Sequence, residues 1–282
     1  MKQHPAFLRR EIIRSRRVAV AITVLALWLT GLAMMARRNA TRSEAQNLAE
    51  TALRLQPATF YYIIEKDGAQ IGAASSALDT TTQALVSEEY FVGDYPSLAG
   101  LERTSARWQT RLTRGLRLAD LSIDVARPTA PFSITASVQQ DTTLFVTGNG
   151  HGIRRTATRY AFTPPIFTPS LATVAFMLGG SHKIGRKGEI ALFDPLSKRI
   201  IRPDVTIRAE SLFTVIDSAD RDRNGEWAVA HRDTVRAWRL DGAPYGLVPW
   251  VDAEGRLVAA KAGTFSVTRT AFEIAFKNSR AK

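Results

Sequence analysis

The side chains best suited to proton transfer or metal ligation in this chain are four histidines: His4, His151, His182 and His231. None stands at metal-ligand spacing from another, and HExxH and EF-hand patterns are absent, so no dedicated metal site is expected. The glycine-rich patterns that cradle phosphates and the GxSxG and SxxK patterns that carry a nucleophilic serine are absent too. Ser181 and His182 are neighbours in GGSHKIG, but adjacent residues of an extended chain face opposite ways and do not form a nucleophile–base pair. Carboxylates come in pairs: Glu88-Glu89, Asp220-Asp222 and Asp252-Glu254. Asp252 and Glu254 flank a turn, where carboxylates commonly bond the turn's own backbone. With 0 cysteines in the chain, thiolate catalysis, disulfides, cysteine zinc sites and an acylated cysteine anchor are excluded. The reading is therefore not an enzyme, with no cofactor and no metal.

The elements that position these residues belong to an ordinary globular composition, 45% apolar and 23% charged. The net charge of +12 suggests an anionic partner until its distribution is read. Residues 1–42 hold nine Lys/Arg against the single Glu11, whereas the remaining 240 residues hold 29 Lys/Arg against 25 Asp/Glu. The basicity belongs to the N-terminal region, and nucleic-acid binding by the main domain is not expected.

That region carries RRVAVAITVLALWLTGLAMMARR, Arg16 to Arg38. Val18 to Ala36 is a run of 19 uncharged, mostly apolar residues, which at about 1.5 Å per residue approaches the roughly 30 Å hydrocarbon core of a bilayer. The run exceeds the about 7–15 apolar residues of a secretory signal, and a cut after Ala36 would place Met34 at the −3 position. A retained single span is expected, with Val18, Leu25, Trp28 and Leu32 in the bilayer. Arg9, Arg10, Arg14, Arg16 and Arg17, with Lys2, outnumber the three arginines after the span, which directs the N-terminus to the cytoplasm of a bacterial inner membrane and the main domain to the periplasm. Phe7, Leu8, Ile12 and Ile13 share a helical face among these arginines, a pattern suited to anionic headgroups and equally to a solvated basic tail. The expected organisation is a basic tail (1–17), a transmembrane helix (18–36), a stalk helix and linker (37–57) and a β-rich domain (58–282). Leu48 and Leu55 lie on the apolar stripe of the stalk helix, which requires a partner, either the main domain or another protein.

From Thr59 the apolar rhythm becomes period two. TFYYIIEK, the turn Asp67-Gly68 and AQIGAASSAL predict a hairpin, and further strands follow at intervals of roughly ten residues as far as GIRRTATRYAF. This predicts a mainly β fold, a large curved antiparallel sheet or half-barrel with one or two short helices. FTPPIFTPSLATVAFMLGG interrupts it: its three prolines bar a central strand. Ser170 can then cap an apolar helix, Leu171 to Leu178, that plugs or covers the sheet. Strands resume afterwards and run to TFSVTRTAFEIAF. The aromatics spread along the strands suit a core, or alternatively the lining of an apolar cavity. Pro165, Ile166 and Phe167 in PPIFTP read as an exposed contact for a partner.

WVDAEGRLVAA, FDPL (193–196) and IEKDGAQIGAASSALD (Ile64 to Asp79) resemble hairpins of bacterial envelope β-rich domains of unknown function. Those domains stand alone or precede transglutaminase-like domains and look related to the lipoprotein-carrier half-barrel. The resemblance implies a curved antiparallel sheet with a helix against its concave face, and no catalytic cysteine accompanies it in this chain.

Taken together, the residues favour a non-enzymatic, membrane-anchored accessory or scaffold subunit of a larger inner-membrane complex, respiratory or photosynthetic for example. Its partners would be the lipid bilayer and other membrane protein subunits. The alternatives are a tethered carrier or sensor of a lipid or other apolar ligand and, third, an envelope hydrolase whose histidines would meet a carboxylate in a cleft.

Overall fold

The structure is a computed structural model. It describes residues 55–82, 84–97, 100–150, 153–163, 165–195 and 197–277, together with Trp28, Thr30 and Gly31. The chain divides into two units, Met1–Gln46 and Asn47–Lys282. In the first, Trp28, Thr30 and Gly31 are helical. No helix among the described residues is long and apolar enough to cross a membrane. Val18, Leu25, Leu32, the five arginines Arg9, Arg10, Arg14, Arg16 and Arg17, and Leu48 all lie outside the described residues.

The second unit is built on strands. Eight follow one another as an antiparallel meander: β1 (Ala58–Lys66), β2 (Ala69–Thr80), β3 (Ala84–Ser97), β4 (Gly100–Thr113), β5 (Leu118–Ala126), β6 (Phe132–Gln139), β7 (Thr143–Gly150) and β8 (Ile153–Ala161). The β1–β2 turn has φ +51° at Asp67 and +80° at Gly68, the two left-handed positions that match the twist of flanking strands in a two-residue hairpin. After α1 (Pro169–Leu178) come β9 (Lys187–Glu189), β10 (Leu192–Asp194), β11 (Arg199–Ile201), β12 (Asp204–Arg221), β13 (Trp227–Asp241), β14 (Val248–Val251), β15 (Leu257–Ala262) and β16 (Phe265–Thr270), then the short helix α2 (Phe272–Phe276). β1 pairs antiparallel with β16, so the two runs of strands join in one 14-stranded sheet ordered β8-β7-β6-β5-β4-β3-β2-β1-β16-β15-β14-β13-β12-β9, which does not close. β10 and β11 form a separate two-stranded ladder.

The apolar helix lies within the main core. Leu171, Ala172, Val174, Ala175, Phe176 and Met177 of α1 are buried together with Leu112, Leu121, Leu144, Phe193, Ile207 and Leu240 from the sheet strands and the β10–β11 ladder. The helix begins at Pro169, with Thr168 rather than Ser170 as N-cap. A proline at the first helical position has its φ already set and no N–H to lose, which moves the start ahead of the serine. On the opposite face of the sheet, Phe213, Val215, Val235 and Ala237 from the long β12–β13 hairpin pack with Trp250 and Val258 in a smaller cluster. α2 contacts β1, β2, β12 and β13, with Phe272 5.1 Å from Tyr61.

The proline segment corrects a sequence expectation. Ile166 and Phe167 are 1% and 3% exposed, while Pro165 is half-buried. The prolines do keep the segment out of the main sheet. Phe167 nevertheless receives and gives backbone hydrogen bonds to residues 191–193, at 3.0 and 2.8 Å, so its polar backbone is satisfied and its apolar side chains can enter the core. Leu55, expected on a stalk helix, is not helical, and it is buried in the core of the main domain, one of the two partners expected for it. Ile166 and Phe167 are thus packing residues of this chain rather than surface contacts.

Candidate functional site

A cavity of about 360 Å³ lies between the sheet and the first half of α1. Register explains its floor. Alternate residues of a strand share a face, and the pairings Tyr62↔Ala74↔Phe91, Phe60↔Ser76↔Glu89 and Ala58↔Leu78↔Ser87 align three rows across β1, β2 and β3, all of them lining the cavity. Ile64 and its partner Val267 on β16 extend the floor. Gly72 and Gly93 also pair directly, and at either position a side chain would meet the other strand's backbone, at 2.7 and 2.8 Å. The two strands therefore approach closely beside the cavity, and the Tyr95 ring closes over Gly93 and stands 4.7 Å from Phe91.

The roof comes from Pro169, Ser170, Leu171, Thr173 and Val174 of α1 and from the loop and strand containing Pro244, Leu247, Pro249 and Val251. One wall is the β14–β15 turn within WVDAEGRLVAA. Asp252 is 7% exposed; its Oδ1 accepts from the backbone N–H of Glu254 and Arg256, at 3.2 and 2.9 Å, and its Oδ2 accepts from Arg269 at 3.1 Å. The expectation that this carboxylate bonds its own turn therefore holds. Gly255 has φ +80°, and a Cβ there would meet the Thr173 carbonyl at 2.4 Å; Thr173 Oγ1 donates to the Gly255 carbonyl at 2.8 Å. The helix rests directly on the turn.

Polar groups are few. Arg256 spans the wall: its guanidinium donates to the Gln56 carbonyl at 2.8 Å and lies 5.3 Å from the Phe60 ring centroid. Arg269 stands over the same ring at 4.0 Å. Tyr62 donates to the Leu257 carbonyl at 3.3 Å, and burial pushes its hydroxyl well above the ordinary phenol range, against the opposing pull of Arg269. Glu89 retains accessible surface, but that surface faces the cavity, and protein encloses the carboxyl on its other sides. Burial raises its proton affinity above the usual carboxylate value, and hydrogen bonds from Ser170 and Ser87 only partly offset this. The arrangement is an apolar chamber with one carboxyl and a few hydroxyls, the composition expected of a small-molecule site, and its volume sits at the lower end of the roughly 300–1,000 Å³ such sites span.

The remaining chemistry-bearing residues do not converge. His182 bonds the Met177 carbonyl at 3.2 Å and packs 4.8 Å from the Trp238 ring. His231 stands 3.6 Å from Asp217, with both side chains about two-thirds exposed on the β12–β13 hairpin rather than in a cleft. Asp222 caps its own turn by accepting from Asn224 and Glu226, at 2.8 and 2.9 Å. No group of three or more His, Asp or Glu that could hold a metal occurs among the described residues. His151 lies outside them. The sequence reading named the Glu88-Glu89 pair but did not separate its members. The alternation of β3 does so: Glu88 faces outward to Arg107 at 2.9 Å, and Glu89 faces the cavity.

No family model matches the chain, and no curated protein matches it. Among solved structures it is similar to a β-barrel-like protein of a domain of unknown function, DUF1849, from Brucella abortus, at 13% identity and a TM-score of 0.49 over 76% of this chain and 95% of that one.

Proposed function

We propose that this protein is a tethered carrier or sensor whose β-rich domain holds an apolar ligand between the sheet and α1. The observation that carries this reading is the apolar cavity itself: beside α1, the rows through Phe60, Tyr62 and Ile64 face about 360 Å³ of space that opens partly to solvent. A recess lined mainly by apolar side chains with a few convergent polar groups is the usual form of a small-molecule site. The proposed tether is the segment 18–36, with the domain on the periplasmic side of a bacterial inner membrane. A non-enzymatic role follows from the ligand being held rather than transformed. Organic extraction of the protein purified from its native membrane, followed by mass spectrometry, tests the reading: a stoichiometric apolar compound supports it, and a ligand-free protein that fails to take up Nile red argues against it.

A second reading, an accessory subunit of a larger inner-membrane complex, is favoured by apolar side chains left outside both cores. Leu212 on the long hairpin and Leu101 at the start of β4 are 65% and 74% exposed. A mild-detergent pull-down that yields a stoichiometric membrane complex supports this reading; a monomer counts against it.

A further inference from the structure

Resting on the reading of the cavity as a ligand site, we propose that it selects an uncharged amphiphile, an aliphatic chain bearing a hydroxyl, ester or amide oxygen, whose polar group is received by Glu89, Ser76 and Ser170.

Apart from Arg256, the polar side-chain groups lining the space are hydroxyls and one carboxyl. Ser76 is the cross-strand partner of Glu89, and Ser170 reaches the same carboxyl from the roof, so the three gather at one place on the otherwise apolar lining. The hydroxyls can donate or accept, and the carboxyl accepts when ionised and donates as well when it holds a proton, so the place matches a neutral oxygen. An anionic head at this place would bring negative charge to the spot where burial already disfavours it on Glu89. Arg256, the one cationic side chain of the lining among the described residues, donates from Nη2 to the Gln56 carbonyl and lies against Phe60, while its buried Nε has no hydrogen-bond partner, which makes dodecanoate the competing ligand in the test below. Two other groups nearby are committed within the protein: Tyr62 on β1 to the Leu257 carbonyl, and Arg269 on β16 to Asp252. The high proton affinity of Glu89 is consistent with this division of roles.

The test is native mass spectrometry of the full-length protein released from lipid nanodiscs and titrated with 1-dodecanol, methyl dodecanoate or sodium dodecanoate. At neutral pH the alcohol and the ester are expected to bind about tenfold or more tightly than the carboxylate, the order of effect of one well-placed hydrogen bond to a buried group. Glu89→Gln should keep this preference. Glu89→Leu should weaken dodecanol binding about tenfold; near-ultraviolet circular dichroism reports whether that variant folds. Should it not fold, the pH profile carries the test, because dodecanol binding should weaken as pH rises in the parent and stay level in Glu89→Gln. Dodecanoate binding as tightly as dodecanol, retention of an anionic phospholipid in preference to the probes, or a level parent profile would overturn the selection while leaving the cavity a ligand site. If no dodecyl compound binds, the ligand reading falls with it.

Discussion

Asp252 and Arg269 form a buried ion pair, Oδ2 to Nη2 at 3.1 Å, with side chains 11% and 9% exposed, and this pair fixes the wall of the cavity. The carboxylate holds the β14–β15 turn through two backbone N–H groups. The guanidinium bonds the Leu257 carbonyl and covers Phe60. Removing one partner leaves the other charged and desolvated, which typically costs about 3–5 kcal/mol. Arg269→Met is therefore expected to destabilise the domain by about that amount, measured by urea denaturation. The double variant Asp252→Asn/Arg269→Met should recover part of the loss.

Gly255 is the second constraint on that wall. An alanine there would take a left-handed conformation and press on the Thr173 backbone at 2.4 Å. Strain and overpacking together should cost about 3 kcal/mol or more in Gly255→Ala. A thermal midpoint lower by several degrees is the expected result, whereas Gly225→Ala, with nothing near its added Cβ, should pay only the conformational part.

Glu89 makes stability depend on pH in a definite direction. Its carboxyl binds a proton more tightly in the folded domain than in the unfolded chain. The stability this contributes is complete below the unfolded-state value near 4.5 and is lost as pH rises through the higher folded-state value. The parent should therefore lose stability relative to Glu89→Gln on passing from acidic to neutral pH. Denaturation midpoints of the two proteins measured across that range provide the check, and a parallel pair of curves would contradict the assignment.

Much of this architecture could be read in the residues. Period-two alternation located all eight strands of the first run, and Asp67-Gly68 marked a turn that does take two left-handed positions. The apolar stretch after Pro169 does form a helix against the sheet. What alternation could not supply was long-range register: that β1 pairs with β16, and that Phe60, Ser76 and Glu89 align in one row, depends on pairings between distant segments. Composition misled at PPIFTP, because prolines exclude a segment from a ladder without excluding it from the core. Glu89 is a further case: the residues mark only a pair of adjacent carboxylates, and strand geometry is what sends one of them inward.

The central claim is that the space between the sheet and α1 receives a ligand, and the most direct measurement fills that space. Ala74 lies on the cavity floor between Tyr62 and Phe91. Ala74→Trp should abolish uptake of Nile red and of 1-dodecanol by the full-length protein, while Ala77→Trp, on the opposite face of the same strand, should bind as the parent does. Undiminished uptake by a folded Ala74→Trp protein would contradict the account.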